Sequence, residues 1–236
     1  MGYNVAFDKM IDLSHTVYTD CPSWVTLPMM HTEYLKFVAR DGVTVSVISR
    51  MHMHTGTHVD APSHFIENGI PVGSIDIHKF MGNGVVIDLS YKKNNEGITA
   101  EDLRKFDEQI REGEVVMLYT GWSKKRGYNS EYMYEWPYPD ESGSQYLAMK
   151  KVKAVGIDAM SMGGWSDSIP GRKVVAATDS AVTHRILLNA GITIIEELNN
   201  LDMVLEGRNI RNAYFIFMPV KFRDTEASPV RAVALL

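Results

Sequence analysis

A mixed α/β domain, richer in strands than in its three or so helices, is what three features of this 236-residue chain predict. Short runs of β-branched and apolar residues recur along its length, a few stretches carry helix caps and terminators, and no repeat, low-complexity tract or linker breaks the order. With 45% hydrophobic residues there is ample apolar material for one core, so residues 1–236 read as one domain.

The elements follow in order. Val43 to Met53 alternates Val43, Val45 and Val47 with Thr44 and Ser46, which predicts a strand running into a histidine cluster. Val85 to Leu89 predicts a second strand, with Gly82 and Gly84 as a turn before it and the polar stretch Lys92–Gly97 as a surface loop after it. Thr99 to Asp102 has the arrangement of a helix cap, so a helix is expected over 100–112, ending at Gly113. Glu114 to Trp122 reads as a strand and Lys124 to Gly143, dense in Tyr, Pro and Gly, as a long loop. A helix over Gln145–Lys151, a buried strand over Ala154–Asp158 and a Gly-rich connection over Ser161–Lys173 come next. Asp179 or Ser180 caps a helix to Asn189, Gly191 supplies its left-handed terminator, and Ile192–Leu198 returns as a strand. Asn212–Phe222 and Val230–Leu236 close the chain as strands.

Bulk properties exclude several function classes. The net charge of -5, with no block of five like charges, speaks against nucleic acid. The single Cys21 cannot form an internal disulfide, and neither a signal segment nor a run of about 18 apolar residues is present. The expected compartment is therefore the cytoplasm, with no membrane partner. No Gly-x-Ser-x-Gly elbow occurs, Cys21 has no nucleophile signature around it, and Gly82-Asn-Gly84 precedes a strand and lacks a third glycine, so it is no nucleotide fingerprint.

Chemistry concentrates in the eleven-residue run His54-Thr-Gly-Thr-His58-Val-Asp60-Ala-Pro-Ser-His64. Imidazole nitrogen and carboxylate oxygen together suit zinc, manganese or iron. Thr55, Gly56, Thr57, Val59 and Pro62 all oppose a helix, whereas in extended chain His54, His58, Asp60 and His64 share one parity and Gly56 permits a bend. A single such histidine is most often a packed polar group, but four groups in register point to a metal. Three ligands leave a coordination position open for a water whose pKa the metal lowers, and His64 remains for proton transfer. His52 shares the parity but precedes the bend, which fits a strand side chain or a supporting group.

The string His54 to Phe65 resembles the signature of the cyclase family of metal-dependent hydrolases, which includes bacterial kynurenine formamidases and isatin hydrolases. Asp12-Leu-Ser14, Thr120-Gly-Trp122, Gly156-Ile-Asp158 and the Gly191–Leu198 strand look like further landmarks of the family. The resemblance implies a swivelling β/β/α fold with a mixed central sheet. It also implies that His54, His58 and Asp60 hold a first metal, that His64 acts as acid and base, and that Asp60 bridges to a second metal held by a downstream histidine and glutamate. His184 and Glu196 have the family's twelve-residue spacing. Glu197, pointing the other way, reads as structural or solvated. Trp24 lies in a region that walls the substrate in relatives, although core packing would equally account for it. The family further implies one or two divalent ions, zinc before manganese, and a homodimer or homotetramer. Two departures separate the chain from kynurenine formamidases: no Pro-Gly-Asp string follows its opening strand, and Gly156-Ile-Asp158 leads into Ala-Met-Ser-Met-Gly-Gly-Trp165.

The expected function is hydrolysis of an amide or formamide C–N bond in a small molecule, in the manner of an arylformamidase, by metal-activated water with His64 as general acid/base. The alternatives are a lactone or cyclic-imide hydrolase of the isatin type, or a metal-binding domain without catalysis.

Overall fold

The computed structural model describes residues 6–166 and 180–236. Its strands are β1 (Met10–Asp12), β2 (His31–Lys36), β3 (Val45–Arg50), β4 (His58–Asp60), β5 (Met81–Asp88), β6 (Gly97–Ile98), β7 (Val115–Tyr119), β8 (Tyr138–Pro139), β9 (Ala154–Ile157), β10 (Thr193–Glu196), β11 (Ile210–Pro219) and β12 (Ala227–Leu235). The helices are α1 (Val38–Asp41), α2 (Ala100–Arg104), α3 (Ser130–Tyr134), α4 (Glu141–Met149), α5 (Ser180–Asn189) and α6 (Leu201–Leu205).

One mixed sheet in the order β1-β12-β11-β5-β7-β9-β10-β4 closes on itself, because β4 pairs with both β10 and β12. The inner strands β5, β7, β9 and β10 run parallel, and their connections carry α2, α4 and α5. The remaining pairings around the ring are antiparallel. This mixed sheet with a helical layer is the α/β architecture that the sequence and the family resemblance predict.

Strand alternation sorts two cores. Val86, Val115, Met117, Ile195, Phe215 and Phe217 fill the interior of the ring. Val85, Ile87, Val116, Leu118, Val155 and Ile194 face outward, where Trp122, Trp136, Leu147 and Leu187 cover them. Gly156 faces inward; a Cβ there would lie 2.4 Å from Met117 Sδ and 2.6 Å from Leu198 Cδ1, so the filled interior requires glycine.

Several expected boundaries shift. Gly82 and Gly84 lie inside β5 rather than in a turn, and Gly84 belongs there because a Cβ would lie 2.0 Å from the Val115 carbonyl oxygen of β7. The helix expected over 100–112 ends at Arg104, although Thr99 and Asp102 do form its capping box. The long loop expected over 124–143 contains α3, β8 and the start of α4. The strand expected over 43–53 exists as β3, but among the described residues it pairs only with β2 in a two-stranded hairpin, and every residue from Glu33 to Arg50 is exposed. Asp179 and residues 167–173 of the expected Gly-rich connection lie outside the described residues. No described helix is long and apolar enough to cross a membrane.

Candidate active site

Val59 points into the ring, so its neighbours on β4, His58 and Asp60, point out of it. Register then selects their companions. On β10, Glu196 stands opposite His58 and Ile194 opposite Asp60, and Glu196 projects on the same outer side. From the helical layer α5 brings His184 to within 3.0 Å of Glu196 Oε1 and 3.7 Å of Asp60 Oδ2. The predicted turn at Gly191, in the left-handed region at φ 72°, is what reverses the chain between His184 and Glu196.

The extended-chain parity holds only for His58 and Asp60. His54 returns through a turn in which Gly56 has φ 63°, and a Cβ there would lie 2.7 Å from Val17 Cγ2. His64 is delivered by a short 3-10 turn over Pro62–His64 whose first residue is proline, the residue whose fixed φ suits a helix start. Turns chosen by Gly56 and Pro62 do what strand alternation alone would not.

His54 Nδ1 is 3.1 Å from Asp60 Oδ1, and His58 Nε2 is 3.5 Å from the same oxygen and 3.4 Å from Glu196 Oε2. Yet among the described residues both Asp60 oxygens and His58 Nε2 are buried without a hydrogen bond. Buried polar atoms that converge without bonding one another are what a cation satisfies. Among the described residues two groups have ligand atoms close enough for one ion each: His54, His58 and Asp60, and Asp60, His184 and Glu196. Asp60 belongs to both. The donor set of imidazole and carboxylate fits a divalent metal.

Tautomers are set by the surroundings. The Gly56 carbonyl lies 2.7 Å from His58 Nδ1, which leaves Nε2 as the ring nitrogen facing Asp60 and Glu196. Glu226 lies 3.4 Å from His54 Nε2, which leaves Nδ1 facing Asp60. Burial opposes a charge on His54, but Asp60 and Glu226 outweigh it and lift the imidazole to about 10. Burial likewise pushes the Glu196 carboxyl up, yet His184 and His58 overcome it and hold the group well below the carboxylate range. This affinity for positive charge is the electrostatic counterpart of the ligand geometry.

His64 belongs to neither three-ligand group. Its ring centroid lies 4.3 Å from that of His54 and 4.2 Å from that of Phe65. Burial holds it down to about 4 against the pull of Asp60, so it is neutral at neutral pH. Above these groups is a pocket of about 280 Å³ walled by Trp24, Leu27, Phe65 and Met160. Trp24 lines this pocket and packs at 5.1 Å from Trp165 and 6.0 Å from Trp136. His52 is half-buried beside His54, at 6.4 Å between rings.

Sequence reasoning missed several contributors. Met162 donates its backbone N–H to Glu196 Oε1 at 2.6 Å and the Ser161 hydroxyl donates to the same oxygen at 3.1 Å. Phe65 stacks on His184 at 4.5 Å. The departing Ala-Met-Ser-Met-Gly-Gly run was the only available signal for the first two. Glu226 had none, being one acidic residue in a polar stretch far from the cluster.

A family model described as "Putative cyclase" matches residues 11–163. A kynurenine formamidase of Bacillus thuringiensis subsp. konkukian is 30% identical over 226 residues, covering 95% of this chain and 96% of that protein. Among solved structures, isatin hydrolase A from Labrenzia aggregata superposes with a TM-score of 0.80 at 27% identity, covering 97% of this chain and 93% of its own. A predicted metal-dependent hydrolase from Bacillus stearothermophilus superposes with a TM-score of 0.72 at 28% identity, over 96% and 97% of the two chains.

Proposed function

The chain belongs to the cyclase family of metal-dependent hydrolases, and from that membership we propose that it hydrolyses an amide or formamide C–N bond of a small molecule at the His54–Glu196 site. The observation that carries this reading is the pair of three-ligand groups sharing Asp60 beneath an aromatic-walled pocket. His54, His58 and Asp60 would hold one divalent ion and Asp60, His184 and Glu196 a second, with zinc ahead of manganese for so imidazole-rich a set. Bound there, such an ion lowers the pKa of water toward neutrality and polarises a carbonyl.

The chain's own residues supply the rest. Neutral His64 accepts the proton of the attacking water and returns it to the departing nitrogen, which would otherwise leave as an unstable amide anion. Ser161 and the Met162 amide fix the Glu196 carboxylate, and Gly56 and Glu226 fix the two imidazoles, so that the donor geometry is set before substrate arrives. Trp24 and Phe65 present aromatic surface to a planar acyl or aryl group. The likeness to isatin hydrolase A supports a second substrate class, a lactone or cyclic imide opened at its ring carbonyl. A metal domain without catalysis would call for a closed four-ligand site, whereas here three-ligand groups open onto a pocket.

The test is hydrolysis of a panel of N-formyl arylamines, cyclic aryl imides and lactones, with metal analysis before and after chelation. Turnover of the formamides, lost on chelation and restored by zinc, is expected. Turnover undiminished in fully chelated protein would refute the metal assignment, and turnover confined to ring substrates would favour the isatin-type reading.

The reading treats residues 1–236 as one cytoplasmic domain, in keeping with a buried, unpaired Cys21. It also takes the protein as a homodimer or homotetramer. The β2–β3 hairpin supports this, because it exposes Tyr34, Leu35, Phe37, Val38 and Ile48 and an isolated hairpin is marginal in water. Light scattering of Ile48→Lys beside the wild type checks it: a monomer is expected for the variant and an oligomer for the wild type.

A further inference from the structure

Glu197 follows Glu196 directly, yet its carboxylate is fully buried on the other side of the strand end. Its backbone has φ 50°, the left-handed region that disfavours residues with a Cβ, so something must hold the chain there. The Tyr132 hydroxyl donates to Glu197 Oε1 at 2.6 Å and Arg126 Nε donates to the same oxygen at 3.4 Å. Thr57 Oγ1, from the turn before β4, donates to the Glu197 carbonyl. Arg126 is itself nearly buried, and its Nη2 donates to the Pro22 carbonyl at 3.0 Å. Two residues on, Tyr128 donates its hydroxyl to the Asp20 carbonyl. Pro22 is followed by Trp24 and Leu27, the pocket wall. One guanidinium therefore reaches two places: the strand end behind a metal-site carboxylate and the loop that carries the wall.

We propose that Arg126 is a positioning residue that ties the Pro22–Leu27 wall of the pocket to the strand end bearing Glu196. The planar guanidinium can engage the carboxylate through Nε and the carbonyl through Nη2 at the same time. A lysine ammonium carries the charge to Glu197 but lacks this fork. The strut fixes the indole of Trp24 in the pocket wall, across from the His64 that lines the same pocket, and so decides how closely an aryl amide can approach His64. The inference rests on the hydrolase reading for its kinetic consequence and on geometry alone for its structural one.

The experiment compares Arg126→Lys, Arg126→Gln and the neutral pair Arg126→Gln with Glu197→Gln, which leaves no buried charge unpartnered if the single Gln variant folds poorly. Trp24 is followed by acrylamide quenching, taking the difference between each protein and the same protein carrying Trp24→Phe. Kinetics on an N-formyl arylamine and metal content are measured alongside. Expected are greater quenching of Trp24 in all three variants and a rise in KM of roughly tenfold, the scale of one lost charge-assisted hydrogen bond. The fall in kcat should be the smaller effect, with metal content retained. Arg126→Lys is expected to recover thermal stability but neither Trp24 protection nor KM. Recovery of all three by Lys would reduce Arg126 to charge balance and overturn the proposal, as would unchanged Trp24 quenching in the neutral pair. If even the wild type hydrolyses no substrate, the hydrolase reading fails while the quenching comparison still decides the strut.

Discussion

Replacing His64 by alanine removes an imidazole that lies against His54 and Phe65 but belongs to neither three-ligand group. Metal content should therefore stay near the wild-type value, since each group keeps its three ligand residues. What is lost is a neutral imidazole lining the pocket, held down to about 4 by burial, to which the proposed function gives the proton transfer. A positioned general acid/base contributes about 10²- to 10⁴-fold, so kcat should fall by that factor, equivalent to about 3–5 kcal/mol at 1.36 kcal/mol per tenfold. The fold should survive, because the ring is only partly enclosed and its loss leaves a gap open to the pocket. Steady-state hydrolysis of an N-formyl arylamine, read beside elemental metal analysis on the same sample, separates the outcomes. Activity near wild type would refute the proton-transfer role. Loss of metal in step with loss of turnover would show instead that His64 is a ligand, and the division of the run into three ligands and one proton carrier would fall.

Glu226→Gln should weaken metal binding by about 10- to 100-fold, because the carboxylate facing His54 Nε2 sets that ring's tautomer; competition with a chromogenic chelator measures it. Asp102, paired with Lys92 at 2.6 Å, has its carboxyl depressed well below 3.8, for burial is outweighed by the Lys92 and Thr99 contacts. A depressed folded-state value means stabilisation that is complete above about pH 4 and is lost as pH falls through that value. Asp102→Asn should thus cost about 3 kcal/mol at neutral pH, the low end for a broken buried pair at a site near the surface, and flatten the acid limb of a Tm-against-pH curve. Gly156→Ala should destabilise by about 1–3 kcal/mol in a urea titration, since its Cβ would meet Met117 Sδ at 2.4 Å inside the filled ring. A neutral or stabilising result would show that Met117 and Leu198 repack freely.

Legibility along the chain followed the range of the interaction responsible. The Thr99–Asp102 capping box, the Gly191 terminator and the strands β5, β7, β9 and β10 depend on neighbours a few residues away, and the pattern of residues revealed each within a few positions. Where a distant neighbour decides, the reading slipped. Gly84 looks like a turn residue until the Val115 carbonyl is seen packed on it. The regular alternation of Val43, Val45 and Val47 predicts a strand, yet among the described strands β3 pairs with β2 alone and its valines stay exposed. The segment 124–143 looks like loop because Tyr, Pro and Gly dominate it, but Asn129 and Asp140 cap short helices within it through their side chains.

The same division runs through the site. His54, His58, Asp60 and His64 lie within eleven residues, and their chemistry together with Gly56 and Pro62 was enough to mark a metal-dependent reaction before any fold was known. By itself the sequence thus determined the class of chemistry, and the twelve-residue spacing implied by the family resemblance marked His184 and Glu196 as the two remaining ligand candidates. Closure of the sheet decided the rest. Because β4 is held between β10 and β12, Glu196 comes to stand opposite His58 and Glu226 comes to face His54, while Arg126 reaches from one wall of the pocket to the back of the other. Those partners come from segments tens to more than a hundred residues apart, joined by backbone pairing and packing that no local pattern encodes.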